Sequence, residues 1–234
     1  MNASKHDQAC FVDTSILFSA TYDSDTFNSE SEIAFDLLAG AGFSIFTNVN
    51  VRSEFLENHR RVLIPEILID LLVAKGSQLD PILHEKLKSH RTSYQKKVAE
   101  EKNTKMDPIQ IKMWRRMLVE YSFDGIDGWT LFCRDFLKGK IHRIWQDTEK
   151  FSALNFISSR IGEESPYLGQ IPAWENAVDL MELYGLASFD AMIVNMFLCS
   201  KIPVLLTADL EMSDCVNKES NGSKLVFIPD SALR

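Results

Sequence analysis

Four short apolar runs constrain this chain more than any other feature: Cys10-Phe-Val12, Phe43-Ser-Ile-Phe46, Ile202-Pro-Val-Leu-Leu206 and Lys224-Leu-Val-Phe-Ile228. Each is too short for a helix and rich in branched or aromatic side chains, so each reads as a strand. Segments with helical spacing separate them, and strands alternating with helices build an α/β fold with a mainly parallel sheet flanked by helices. The expected strands cover 8–13, 43–47, 202–206 and 224–228, with a polar connection over 14–27. Ser29-x-x-Glu32 reads as a capping box that opens a helix over 30–39, ended by Gly40 and Gly42. Asn48 caps a helix over 49–62, and Pro65 starts a separate one over 66–75. Further helices are expected over 173–184 and, behind a Ser188 cap, over 189–200.

Between 79 and 171 the rhythm changes. Pro81 to Lys105 is a charged helical pattern, Ile109 to Tyr121 a second carrying Trp114, and Asp124-Gly-Ile-Asp-Gly128 a turn. Helices are expected over 129–140 and 145–161, then a loop over 162–172. The spacing therefore predicts one α/β domain made from 1–78 and 172–234, with a helical subdomain, 79–171, inserted. Charge divides in the same way. Residues 81–145 hold 14 Lys and Arg against 8 Asp and Glu, a net of +6 in a chain whose total is −8. A negative total argues against nonspecific nucleic-acid binding, so a basic segment within an acidic frame is the informative feature.

Cys10, Cys133, Cys199 and Cys215 form no C-x-x-C pair, which predicts reduced thiols and a cytoplasmic location. Met1 to Asp7 lacks the apolar core of a secretory leader. No apolar run approaches the ~18 residues that a membrane span needs, so no membrane partner is expected.

Four carboxylates fall in one kind of place. Asp13 follows the first strand, Glu54 lies in the first turns of the helix after the second, Asp190 opens a helix, and Asp209 follows the third strand. In parallel sheets ligands collect outside the carboxyl ends of strands, and Asp13 and Asp209 sit at that edge. Each acid alone is an ordinary cap or turn residue, stabilised by ~0.3–1 kcal/mol at a helix N-terminus. Four together in a low-dielectric pocket repel one another, and a hard divalent cation, Mg²⁺ or Mn²⁺, removes that conflict. Thr14, Ser15 and Thr207 are hydroxyls beside these acids. They serve either local backbone bonding or, for Thr207, the holding of Asp209 or a metal-bound water.

Val12-Asp-Thr-Ser-Ile-Leu17 resembles the opening motif of PIN-domain nucleases. Tyr184-Gly-Leu-Ala-Ser-Phe-Asp-Ala-Met-Ile-Val194 resembles that family's second half, and Ile202-Pro-Val-Leu-Leu-Thr-Ala-Asp209 its closing motif, a strand ending in Thr-x-Asp. Val51-Arg-Ser-Glu54 fits the helix that carries the family's Glu. The resemblance covers about 8–75 and 172–230, and the last two motifs are the more specific. It implies a PIN-like, Rossmann-like sheet in which Asp13, Glu54, Asp190 and Asp209 bind one or two Mg²⁺ or Mn²⁺ ions. Asp214, five residues past Asp209, stands where some members carry a further acid. The implied activity is a metal-dependent phosphodiesterase, an endoribonuclease. A metal-bound water attacks the RNA backbone phosphate and leaves a 5′-phosphate and a 3′-hydroxyl.

Two other readings stay open: a noncatalytic PIN-like module that binds nucleic acid or protein, and a toxin ribonuclease paired with an antitoxin. The ~90-residue insertion departs from the family's compact toxins. An antitoxin or other protein partner, and a homodimer, are compatible with the sequence. Within the insertion, basic residues accompany aromatic ones, the combination that single-stranded nucleic acid requires. Lys96, Lys97, Arg115 and Arg116 are the candidate nucleic-acid contacts; the alternative is a solvated basic face with Trp114, Trp129 and Trp145 packing a core.

Several motifs are excluded. There is no P-loop, no G-x-G-x-x-G and no H-E-x-x-H, Asp124 to Gly128 lacks EF-hand spacing, and the five histidines are isolated.

Overall fold

The computed structural model describes residues 8–158 and 166–233. The expectations for residues 1–7, the end of the helix over 145–161 and the start of the loop over 162–172 lie outside the described residues. The chain divides into two compact units, Met1–Phe55 with Asp147–Arg234, and Leu56–Gln146.

The first unit is built on a parallel sheet of five strands: β1 (Ala9–Val12), β2 (Ser44–Thr47), β5 (Asn155–Phe156), β6 (Val204–Leu206) and β7 (Leu225–Phe227). Their order is β5-β2-β1-β6-β7. All four pairings are parallel, with Phe11 beside Phe46 on one side and beside Leu205 on the other. Every residue of central β1 is buried, as a strand covered on both faces must be. Strand order runs outward from β1 through β2 to β5, then returns to β6 on the other flank. The switch point therefore falls between β1 and β6, where a doubly wound sheet opens a crevice at its carboxyl edge.

Several helices of this unit differ from the expectations. Asp13 caps a short helix, α1 (Thr14–Ser19), within the stretch expected to be a polar connection; Ile16, Leu17 and Phe18 drive it into the core. Helix α2 (Asn28–Gly40) starts before the Ser29 capping box, and no side chain caps its N-terminus. Ser188 is the first residue of α9 (Ser188–Cys199), not its cap. Helix α8 is Trp174–Tyr184, closed by Gly185 at φ 72°, the left-handed conformation that glycine adopts without strain. Helix α10 (Leu210–Glu219) had no sequence expectation. Strand β5 replaces the end of the helix expected over 145–161, since the helix before it stops at Ser152 and Asn155–Phe156 pairs with β2.

Helix α3 (Val49–Lys75) starts in the first unit and continues into the second as one helix with Pro65 inside it. The sequence reading broke the helix there, because proline has no N–H for the carbonyl four residues earlier. Tertiary contacts repair the defect. Arg61 O, the acceptor that Pro65 leaves unpaired, receives the Met106 N–H at 2.9 Å, and Arg61 Nε donates to Met106 O at 2.8 Å. Pro65 O accepts from His90 Nε2 at 2.8 Å.

The second unit is mostly helical. It holds the rest of α3, α4 (Pro81–Ala99), α5 (Pro108–Val119), the hairpin β3 (Ser122–Phe123) and β4 (Ile126–Asp127), α6 (Gly128–Phe132), and a π-helical turn over Cys133–Leu137. Helix α7 (Lys140–Ser152) leads back to the first unit. Leu68, Leu71, Leu83, Leu87, Trp114 and Phe132 belong to one buried cluster. Trp114 is a core residue, and Trp129 packs against that core, stacked on Phe132. Trp145 is also buried. These indoles are packing groups, not exposed platforms for bases. No helix among the described residues is long and apolar enough to cross a membrane.

Candidate functional site

Asp13 ends β1 and is only 3% exposed. Its N–H continues the ladder to Leu206 O at 3.0 Å, and its carboxylate caps α1. Oδ2 accepts from Ser15 N at 3.2 Å, Ser15 Oγ at 2.7 Å and Thr207 Oγ1 at 3.0 Å. Three bonds on one oxygen leave Oδ1 the freer one. Burial pushes the Asp13 carboxyl up, against the lowering effect of its bonds to Ser15, Thr14 N and Thr207.

The Ser15 and Thr207 hydroxyls join the strand ends. Thr207 Oγ1 donates to Asp13 and accepts from Asp209 N at 3.0 Å, while Ser15 Oγ accepts from Ala208 N at 3.0 Å. Both therefore lock the Thr-x-Asp turn onto the end of β1. Asp209 caps α10, with Oδ1 accepting from Glu211 N and Met212 N at 2.8 and 3.0 Å. Thr14 has a different environment: its buried Oγ1 has no hydrogen-bond partner among the described residues. Thr47 Oγ1, in the last residue of neighbouring β2, and Asn48 Nδ2, just past it, are also buried with no partner among the described residues. Asn48 Oδ1, by contrast, accepts from Asn50 N and Val51 N at the start of α3. An unmade bond at a buried polar group costs about 1–3 kcal/mol; three fall at the ends of these two adjacent strands, and others, such as Ser31 Oγ and Ser152 Oγ, lie elsewhere in the protein. The sequence marked Asn48 only as a helix cap and passed over Thr47.

Asp190, half-buried in the first turn of α9, reports on the other acids. Its carboxyl is pushed up to about 7, first by burial and then by the charges of Glu54, Asp13, Asp209 and Glu211. Three of the acids expected from sequence thus act on the fourth although they come from different elements. Glu211 joins them. Its signal was its place two residues after Asp209, inside a helix the sequence reading did not expect. Asp214 is not among these charges; it is exposed on α10 and paired with Lys218, one helical turn on.

Carboxylates from four elements offer hard oxygen donors of the kind Mg²⁺ or Mn²⁺ prefers. Burial and then the neighbouring negative charges raise Asp190, and both are conditions a cation would relieve. Among the described residues, however, no three His, Cys, Asp or Glu side chains are drawn into an arrangement that could hold a metal ion. The donor chemistry fits; a closed coordination shell is not formed.

The basic candidates belong to the second unit. Lys96 is exposed on α4, 3.9 Å from Glu100. Lys97 is half-buried, in line with Leu83, Leu87 and His90, so the two lysines do not share a face. Arg115 and Arg116 are exposed on α5, opposite buried Ile111, Trp114 and Leu118. The four cysteines are free thiols, Cys10, Cys199 and Cys215 buried.

Compared with known proteins, the chain matches no family model, no curated protein and no solved structure.

Proposed function

We propose that the carboxyl edge of the sheet is the active site of a divalent-cation-dependent phosphodiesterase of PIN type, acting on RNA. The observation that carries this reading is the convergence of the Glu54, Asp13 and Asp209 charges on half-buried Asp190, beside the strand-order switch. Asp13, Glu54, Asp190 and Asp209 are the residues that would hold the cation. When bound, Mg²⁺ or Mn²⁺ supplies Lewis-acid stabilisation of a phosphoryl oxygen and acidifies water.

The chain's own groups have separate tasks. Ser15 and Thr207 fix Asp13 through Oδ2, so Oδ1 is the oxygen available to a cation. The α10 N-terminus fixes Asp209 through two backbone N–H groups. Asp190, whose proton is lost near neutrality, holds or releases a proton as the local charge changes. Lys96, Lys97, Arg115 and Arg116 are proposed RNA contacts of the second unit, with the exposed Arg115 and Arg116 better suited to phosphate than half-buried Lys97.

The test is incubation of the full chain with mixed single-stranded RNA and DNA, with Mn²⁺ and with chelator. Cleavage of RNA that requires Mn²⁺ and disappears in Asp13→Asn is expected. Cleavage that survives chelator, or is unchanged in that variant, overturns the assignment.

A further inference from the structure

At the opposite, amino-terminal edge of the same sheet lies a cavity of about 400 Å³, within the roughly 300–1,000 Å³ of small-molecule sites. It is lined by Lys224 just before β7, Asn195 of α9, Asp179 of α8, Glu219 of α10, and Gln170. Asn195 is buried and Lys224 half-buried, whereas Asp179 and Glu219 are exposed. The positive charge is therefore the deeper one, and the carboxylates form the mouth.

Lys224 is electrostatically incomplete. Its Nζ donates to Ser200 O and Ile202 O, each at 2.7 Å, and lies 4.9 Å from the centre of the Phe197 ring. An ammonium has three donors, so one N–H remains. Among the described residues no carboxylate stands within ion-pair distance of it, and burial pulls the amine down to about 8. Partly buried charge without a counter-ion is costly, and a ligand carboxylate would complete it. Asp179 is likewise engaged by no hydrogen bond or ion pair among the described residues. Glu219 accepts from the Tyr184 hydroxyl through Oε1 only. A plain anion entering here meets two carboxylates, and a plain cation meets Lys224. A ligand with both charges satisfies each end.

We propose that this cavity is a second binding site, for a small zwitterion of the α-amino acid class, its carboxylate seated on Lys224 and its ammonium on Asp179 and Glu219. The side-chain amides of Gln170 and Asn195 complete the polar lining; each is already held, by Cys199 Sγ at 3.3 Å and by Ala173 O at 2.7 Å respectively. Held amides present fixed dipoles, which lowers the ordering cost of binding.

The test is calorimetric titration of the full chain with each common α-amino acid in turn. The matching amino-acid amide, which lacks the carboxylate, and the N-acetyl amino acid, which lacks the ammonium, serve as controls. Saturable binding of at least one amino acid is expected, weakened about tenfold or more by removing either charge. Asp179→Asn weakens binding by a similar factor while leaving thermal unfolding unchanged, since that side chain is exposed and unpaired. Lys224→Met abolishes binding; because it also frees two backbone carbonyls, Asp179→Asn decides the matter if that variant fails to fold. No binding by any amino acid, equal binding of the acetylated or amide forms, or unchanged affinity in Asp179→Asn overturns the proposal. None of these readouts depends on nuclease activity.

Discussion

The Thr207 hydroxyl donates to Asp13 Oδ2 at 3.0 Å across 194 residues of sequence. Thr207 Oγ1 also accepts the Asp209 N–H, so one threonine ties the end of β1 to the turn after β6. Thr207→Val, nearly isosteric, removes both bonds and leaves Asp13 with its local partners Ser15 and Thr14 N. A loss of about 1–3 kcal/mol in unfolding free energy is expected, with Thr207→Ser retaining most of it. Urea denaturation of the two variants checks this; equal stability of Thr207→Val and wild type shows that the bond is not stabilising.

Asp190→Asn tests the clustering of the acids. The folded carboxyl titrates near 7, above its ordinary value of 3.8, so between those values the native state binds more protons than the unfolded chain. Its contribution to stability therefore falls as pH rises from about 4 to 7, and the penalty is complete above 7. Without divalent cations, Asp190→Asn should melt higher than wild type at pH 8, with the gap closing toward pH 4. A variant that melts lower at pH 8 contradicts the penalty that burial and the neighbouring acids place on the charged carboxylate.

His59 gives a pH dependence in the second unit. It is 4% exposed and pulled down to about 4 by burial and by the Lys105 charge. The unfolded imidazole takes its proton near 6.5, so stability falls as pH drops from about 6.5 to 4, by up to about 3 kcal/mol. Denaturation of wild type and His59→Gln across that range should show a shallower acid limb in the variant. Parallel limbs would assign the acid loss to other groups.

Pro65 supplies a backbone prediction. Proline inside an ordinary helix costs about 3 kcal/mol, so its replacement by alanine normally stabilises. Here Arg61 O already takes the Met106 N–H, and a new N–H at position 65 would compete for an occupied carbonyl. Pro65→Ala should change stability by less than about 1 kcal/mol. A gain near the full proline cost would show that the Met106 bond contributes little.

Four of the five strands of the sheet and their parallel class were legible because they depend on local pattern; β5, expected as helix, was not. Apolar runs bounded by polar turns make buried strands, and an acid just past such a run lies at the strand's carboxyl end wherever the sheet goes. Asp13 and Asp209 followed from that rule alone. The same local reasoning failed at α3, where a distant N–H satisfies the carbonyl that Pro65 abandons, and at α10, where Asp209 caps a helix of mixed composition.

What only the tertiary structure decided was which groups meet. Strand order puts β1 beside β6, and that adjacency brings Thr207 to Asp13, adds Glu211 to the acids and leaves Asp214 on an exposed helix face with Lys218. It also gathers Lys224, Asp179 and Glu219 around a cavity that no sequence motif announces. Local periodicity sets each element, since helix and strand repeat within a few residues. The energy of a charge depends on its neighbours in space, and those are chosen when the chain packs.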